Sequence, residues 1–224
     1  DNTLYSKNLG IWAMMGQNIQ RYFQERVGLP EEESRVLRRK FYLDYGLAIR
    51  GLIRHFEIDP LEYDDFVDGS LPLDDLLRPD PQQRALLEAC NGRRWIFTNA
   101  GMKHAMRCLR LLGIEDCFEG VIFCDYTEAD FPAKPDRLAY ERAQLIAEQP
   151  DPCKCFFIDD SAMNVRMAKE VGWQAILLDE LEIVKGGSDG HAAFHTTNEQ
   201  TEERIEHLEQ MRQTFPQLFP PPEM

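Results

Sequence analysis

No run of apolar residues approaches the roughly 20 that a membrane-spanning helix needs, which removes that class of protein at once. No signal-peptide pattern opens the chain either. Disulfide spacing is missing as well. The six cysteines (Cys90, Cys108, Cys117, Cys124, Cys153 and Cys155) form no framework, and no second Cys/His pair joins Cys153 and Cys155 to complete a zinc site. Reduced, mostly buried thiols in a cytoplasmic protein are expected, with the nucleus as the alternative compartment. Positive charge is short: 25 Lys and Arg stand against 39 Asp and Glu, a net charge of −14. Such a field repels nucleic acid polymers and anionic membranes, so neither is an expected partner. A small anionic substrate would then need a local positive site, from a metal ion or a few placed cations. Internal repeats and long low-complexity tracts are absent too.

What remains is an ordinary globular composition, 43% hydrophobic and 29% charged over 224 residues. That suffices for one α/β core with a smaller accessory unit. From 10 to about 67 the apolar residues recur with helical spacing. Ile11, Met14, Met15, Ile19, Tyr22 and Phe23 mark one amphipathic helix ending near Gly28. Pro30 followed by Glu31, Glu32 and Glu33 marks the next helix start, because acids there face the positive helix end. A third helix runs through Leu47 to Ile53, and a short fourth follows Pro60.

From about 93 short apolar runs alternate with helical ones. Strands are expected at 94–98, 120–124, 155–158 and 174–178, and helices at 102–112, 136–148 and 162–171. Continuously apolar strands separated by helices indicate a parallel sheet covered on both faces. Residues 186–190 read as a flexible loop, 199–213 as a charged helix with an Ile205, Leu208, Met211 stripe, and 220–222 as a frayed end.

In a doubly wound sheet the functional groups sit past the carboxyl ends of the strands. Thr98 and Asn99 follow the first strand, and Asp159, Asp160 and Ser161 follow the third. Lys134 stands on a loop between Pro132 and Pro135, and Asp1 opens a polar turn. Taken singly, Thr98 is a helix cap, Lys134 a surface lysine and Asp1 a terminal residue. Together they supply carboxylates, a hydroxyl, an amide and one ammonium, the set that phosphoryl transfer uses. Paired acids beside a single lysine need a neutralising cation, and Mg²⁺ suits them because it accepts one or two carboxylates and keeps its waters.

In this order the residues resemble the four motifs of the haloacid-dehalogenase-type phosphatases. Asp1-Asn2-Thr3 is similar to the first, Asp-x-Asp-x-Thr, without its leading aspartate; Phe97-Thr98-Asn99 resembles the second, Lys134-Pro135 the third, and Asp159-Asp160-Ser161 with Asn164 the fourth. Asp1-Asn2-Thr3-Leu4-Tyr5, the helical insert and the Asp-Asp-Ser-x-x-Asn ending look most like the fungal pyrimidine 5′-nucleotidase branch.

The resemblance implies a Rossmann-like α/β core, from 1–9 and 84–224 with its first strand missing, and an all-helical cap domain at 10–83. It implies Mg²⁺-dependent hydrolysis of nucleoside 5′-monophosphates, pyrimidine ones above all, through an aspartyl-phosphate whose nucleophile lies upstream of Asp1. By the same resemblance Asp1 is the acid/base and a metal ligand through its carbonyl, and Thr98, Asn99 and Lys134 bind the phosphate. Asp160 and Asp159 serve the metal, and Asn164 orients them. Rival readings are a phosphatase for a lysophospholipid or sugar phosphate, a dehalogenase, and a non-catalytic relative that only binds a ligand. The arginines and Lys40 of the helical block read as a solvated, ion-paired face, and Phe41, Tyr42, Tyr45, Phe56 and Tyr63 as mostly core. His55 and His104 read as ordinary helix residues.

Overall fold

The computed structural model describes residues 1–181 and 203–220, so the loop expected at 186–190 and most of the proline-rich end lie outside the described residues. The first half is helical, as its periodicity dictates: α1 (Ile11–Glu25), α2 (Glu31–Tyr45), α3 (Ala48–His55), α4 (Pro60–Val67) and the single turn α5 (Leu73–Leu76). Gly46 ends α2 in the left-handed conformation that favours glycine, with φ 77°. Asp59 caps α4 by accepting from the Leu61 N–H, with Pro60 in the first helical position.

The second half alternates. It contains α6 (Pro81–Ala89), β1 (Trp95–Phe97), α7 (Met102–Leu112), β2 (Gly120–Ile122), α8 (Arg137–Ile146), β3 (Phe156–Asp159), α9 (Ala162–Glu170) and β4 (Gln174–Leu178). β1 pairs in parallel with β2, Trp95 opposite Gly120, and β3 pairs in parallel with β4, Phe156 opposite Gln174. The expected α/β architecture with parallel strands is the one observed. Among the described residues β1 and β3 are not joined by a ladder. A cavity of about 750 Å³ lies between them, lined by Trp95 to Thr98 on one side and Phe156 to Asp159 on the other.

The helix expected at 199–213 is a correction where it is described. Residues 204–205 form β5 (Arg204–Ile205), parallel to β4, followed by a 3-10 turn at Leu208–Gln210 and the four-residue α10 (Met211–Thr214). The Asp179 N–H donates to the Ile205 carbonyl at 2.8 Å, so the open edge of β4 captures this backbone. Ile205, Met211, Phe215 and Phe219 then pack on Leu86, Cys90, Ile176 and Leu178. The apolar stripe is real, but it serves a chain of short turns. Helix α6, which has no counterpart among the expected elements, packs through Leu86 into this same cluster.

A larger core joins the helical block to α7, with Tyr22, Phe23, Leu52, Val67 and Leu73 beside Cys108, Leu109 and Leu112. Residues 1–9 are tied to the α/β part. The Ser6 hydroxyl and the Lys7 N–H donate to the Glu180 carboxylate at 2.6 and 2.9 Å, and the Gln83 amide donates to the Leu4 carbonyl at 2.7 Å. No helix among the described residues is long and apolar enough to cross a membrane.

Candidate functional site

The strand ends bring the predicted residues together. Thr98 continues β1 by one residue, its N–H donating to the Ile122 carbonyl at 2.9 Å, while its buried hydroxyl accepts from the Ala100 N–H at 3.1 Å. Asn99 spends both ends of its amide on one partner. Its Nδ2 donates to the Lys134 carbonyl and its Oδ1 accepts from the Lys134 N–H, each at 2.8 Å. Expected to meet substrate, Asn99 has instead the geometry of a clamp that fixes the lysine loop against the end of β1.

Lys134 is thereby turned inward, and it is not a surface lysine. Its ammonium donates to the Phe97 carbonyl at 2.7 Å and to Asp159 Oδ2 at 2.6 Å, over the rings of Phe97 and Phe157. The other Asp159 oxygen accepts from the Ser161 N–H at 2.9 Å and from Asn164 Nδ2 at 2.8 Å. A buried carboxylate is tolerable when it is paired and hydrogen-bonded in this way. Both oxygens of Asp159 are therefore engaged within the protein.

Asp160 is not. From the described residues its carboxylate accepts one long bond, from Asn2 Nδ2 at 3.3 Å. Burial raises its pKa, and the neighbouring Asp159 charge raises it further. That is the environment of an acid lacking a full-strength cation. Hard oxygen donors of the kind Mg²⁺ takes line the same cavity: the Asp160 carboxylate, and Asp1, whose carbonyl accepts the Thr3 hydroxyl at 3.3 Å.

Asp1 carries a second set of contacts that the motifs did not announce. Its Oδ1 accepts from the Tyr5 hydroxyl at 2.5 Å and lies 2.8 Å from Nε2 of His104 on α7. Nε2 also lies 3.4 Å from the Cys108 thiol one turn on. Asp1, His104 and Cys108 have donor atoms within 4.8 Å of one another, a grouping that could hold a softer metal ion. Hydrogen bonds already join them. Burial opposes protonation of His104, but the Cys108 thiol and the Asp68 carboxylate outweigh it and raise its pKa. Asp68, buried beside Asp64 at the end of α4, has its own carboxyl pushed from 3.8 up to about 6, first by burial. Asp64 lies so close to the loop before α7 that a Cβ on Gly101 would come within 2.8 Å of its Oδ1. No local signal in the sequence marks this network, whose partners come from distant stretches of chain.

Trp12 of α1, Tyr42 of α2, Leu47 and Met163 line the same cavity as Asp1, Thr98, Lys134 and Asp160. Trp12 is half-exposed. Burial raises the Tyr42 pKa, with a further push from the Asp160 charge. Phe41 and Tyr63 are core, and Arg35, Lys40, Arg50 and Arg54 pair with Glu32, Asp44, Asp136 and Asp130; Arg38 departs from the expected solvated face, being partly buried and donating to the Gly16 carbonyl at 2.8 Å.

Comparison with known proteins bears on the family and the fold. Residues 1–172 match the haloacid dehalogenase-like hydrolase family. The chain is 38% identical over 183 residues to Phosphate metabolism protein 8 of Saccharomyces cerevisiae, covering 77% of this chain and spanning only 57% of that protein's length. Among solved structures it resembles a HAD phosphatase from Thermococcus onnurineus (TM-score 0.56, 18% identity, 96% of this chain and 94% of that one). It also resembles the L-2-haloacid dehalogenase of Xanthobacter autotrophicus (TM-score 0.53, 16% identity, 90% and 91%). Likeness at that identity speaks for the fold alone.

Proposed function

The chain belongs to the haloacid dehalogenase-like hydrolase family, and from that footing we propose that it hydrolyses small phosphate monoesters, nucleoside 5′-monophosphates with a pyrimidine base foremost. The observation that carries this reading is the division of labour between the adjacent acids: Lys134 occupies Asp159, while Asp160 is left with one long hydrogen bond. A site with one spare carboxylate, a fixed ammonium and a strand-end hydroxyl suits an anion that arrives against a divalent cation.

In this reading Asp160 and the Asp1 carbonyl hold Mg²⁺, with Asp159 supporting from behind through Lys134, Ser161 and Asn164. Bound there, Mg²⁺ supplies charge neutralisation of the phosphoryl oxygens. Thr98 and Lys134 orient the phosphate; Asn99 keeps the lysine loop in place. The Asp1 carboxyl gives a proton to the leaving alkoxide oxygen, then takes one from the water that cleaves the acyl-phosphate. In this reading the phosphoryl group passes to the carboxylate of a nucleophilic aspartate, the leading residue of the family's first motif.

The helices of 10–83 act as a cap over this site, excluding water. Trp12 and Tyr42 in the cavity lining support a planar base as the leaving group's cargo, since aromatic faces stack on bases of any sequence. Six unpaired cysteines support a cytoplasmic setting. The test is product release by the full-length protein with Mg²⁺, across pyrimidine and purine 5′-monophosphates, a lysophospholipid, a sugar phosphate and a 2-haloacid. Phosphate from the pyrimidine nucleotides ahead of the rest is expected. Halide release without Mg²⁺ would overturn the reaction class, and preference for the lipid or sugar ester would overturn the substrate.

A further inference from the structure

His104 lies outside all four motifs, yet it reaches the Asp1 carboxyl from the protein interior. It sits in the first turn of α7 with 4% of its surface exposed. A carboxylate oxygen offers only lone pairs, so across the 2.8 Å contact Nε2 carries the hydrogen and Asp1 Oδ1 accepts it. The Tyr5 hydroxyl donates to that same oxygen. Oδ2 takes no hydrogen bond from the described residues.

A histidine kept for packing would be expected to satisfy both ring nitrogens. Here Nδ1 is buried without a partner, while the nitrogen that is satisfied is the one aimed at Asp1. The Cys108 thiol on the next turn of the helix lies 3.4 Å from the same Nε2 and so flanks the contact with Asp1. Two donors on one oxygen fix the plane of the carboxyl and leave the other oxygen without a hydrogen bond from the described residues. That is what a group passing a proton to a leaving oxygen requires, because proton transfer depends on heavy-atom distance and direction.

We propose that His104, with Tyr5, is a positioning residue that clamps Asp1 Oδ1 so that Oδ2 alone serves as the proton-transferring oxygen. The proposal rests on the reading of Asp1 as acid/base. It predicts a dependence on leaving group that a purely structural histidine would not produce. An alkyl phosphate needs its departing oxygen protonated; p-nitrophenyl phosphate, whose leaving group is a stable anion, does not.

The experiment measures kcat/KM of the full-length protein on a nucleoside 5′-monophosphate and on p-nitrophenyl phosphate. For His104→Ala we expect a loss of about 10- to 100-fold on the alkyl ester, within what general acid catalysis supplies, and only a few-fold loss on the aryl ester. His104→Gln, whose amide N–H can donate from a similar place, should recover part of the loss. Equal losses on the two esters, or no recovery with glutamine, would overturn the proposal. Tyr5→Phe removes the second donor while keeping the ring, so it carries the test should His104→Ala fail to fold: selective loss on the alkyl ester supports the clamp, and equal loss overturns it. Asp1→Asn separates the two layers. If it shows no leaving-group selectivity, the acid role of Asp1 falls; if it does and the His104 and Tyr5 variants do not, only the clamp falls.

Discussion

The ammonium of Lys134 lies 2.6 Å from Asp159 Oδ2, with both side chains almost wholly buried. Through this pair the protein decides which of two adjacent acids stays available. Asp159 is held inside by that pair, whereas Asp160, one residue on, has its pKa raised by burial and by the Asp159 charge; in the proposed reading a divalent cation relieves it.

Removing the lysine should therefore damage the fold as well as the chemistry. Lys134→Met leaves Asp159 buried and unpaired, a change that costs about 3–5 kcal/mol when one partner of a buried pair is lost. Adding Asp159→Asn removes the stranded charge and should restore part of that stability without restoring activity. Urea unfolding of the two variants checks this. A single variant as stable as the parent would show that the pair is not an ion pair of consequence.

The pH dependence of stability should carry the mark of Asp68. Its folded pKa of about 6 stands above the 3.8 of an exposed carboxyl. Between those values the native state holds a proton that the unfolded chain releases, so this group's contribution is full below about pH 4 and is lost as pH rises through about 6. Asp68→Asn stays neutral throughout. It should be the more stable protein above pH 6, by about 1–3 kcal/mol, with the gap closing near pH 4. Thermal melts at pH 4.5 and 7.5 make the comparison, and a pH-independent difference would contradict it.

Trp12 offers a way to separate base recognition from phosphate chemistry. Trp12→Ala should raise KM for a nucleoside 5′-monophosphate by about 10-fold, which matches the 1–3 kcal/mol of one base–aromatic stack. On p-nitrophenyl phosphate KM should change much less, and kcat should hold on both. Equal changes in KM for the two esters would remove the stacking role.

Much of this was legible in the sequence because it is local. Strands such as Phe156–Asp159 are unbroken apolar runs, and their polar ends follow directly in the chain. Helices α1 to α4 announce themselves through 3.6-residue spacing and through breaks at Gly46 and Pro60. Helix α6 had its signal as well, Asp80 capping with Pro81 in the first position, but no long apolar face to accompany it. The stretch at 203–213 misled because Ile205, Leu208 and Met211 have helical spacing, while the open edge of β4 offered the backbone a better partner. The His104 network lay beyond local reading altogether. Its contact with Asp1 closes 103 residues of chain, and only the packing of α4 and α7 against the N-terminal turn brings it about. Asn99 shows the same limit, since its residue type suits a phosphate loop but both ends of its amide are spent on Lys134.

The most direct measurement of the proposed role of Asp160, to hold the metal, is a Mg²⁺ titration of phosphate release by the full-length protein and its Asp160→Asn variant. The parent should show saturable dependence on Mg²⁺ and lose activity in chelator. The variant should need at least about 10- to 100-fold more metal or turn over correspondingly less, as expected when a metal site loses a group that holds it. Chelator-resistant activity in the parent, or a variant with unchanged metal dependence and near-normal turnover, would contradict the assignment.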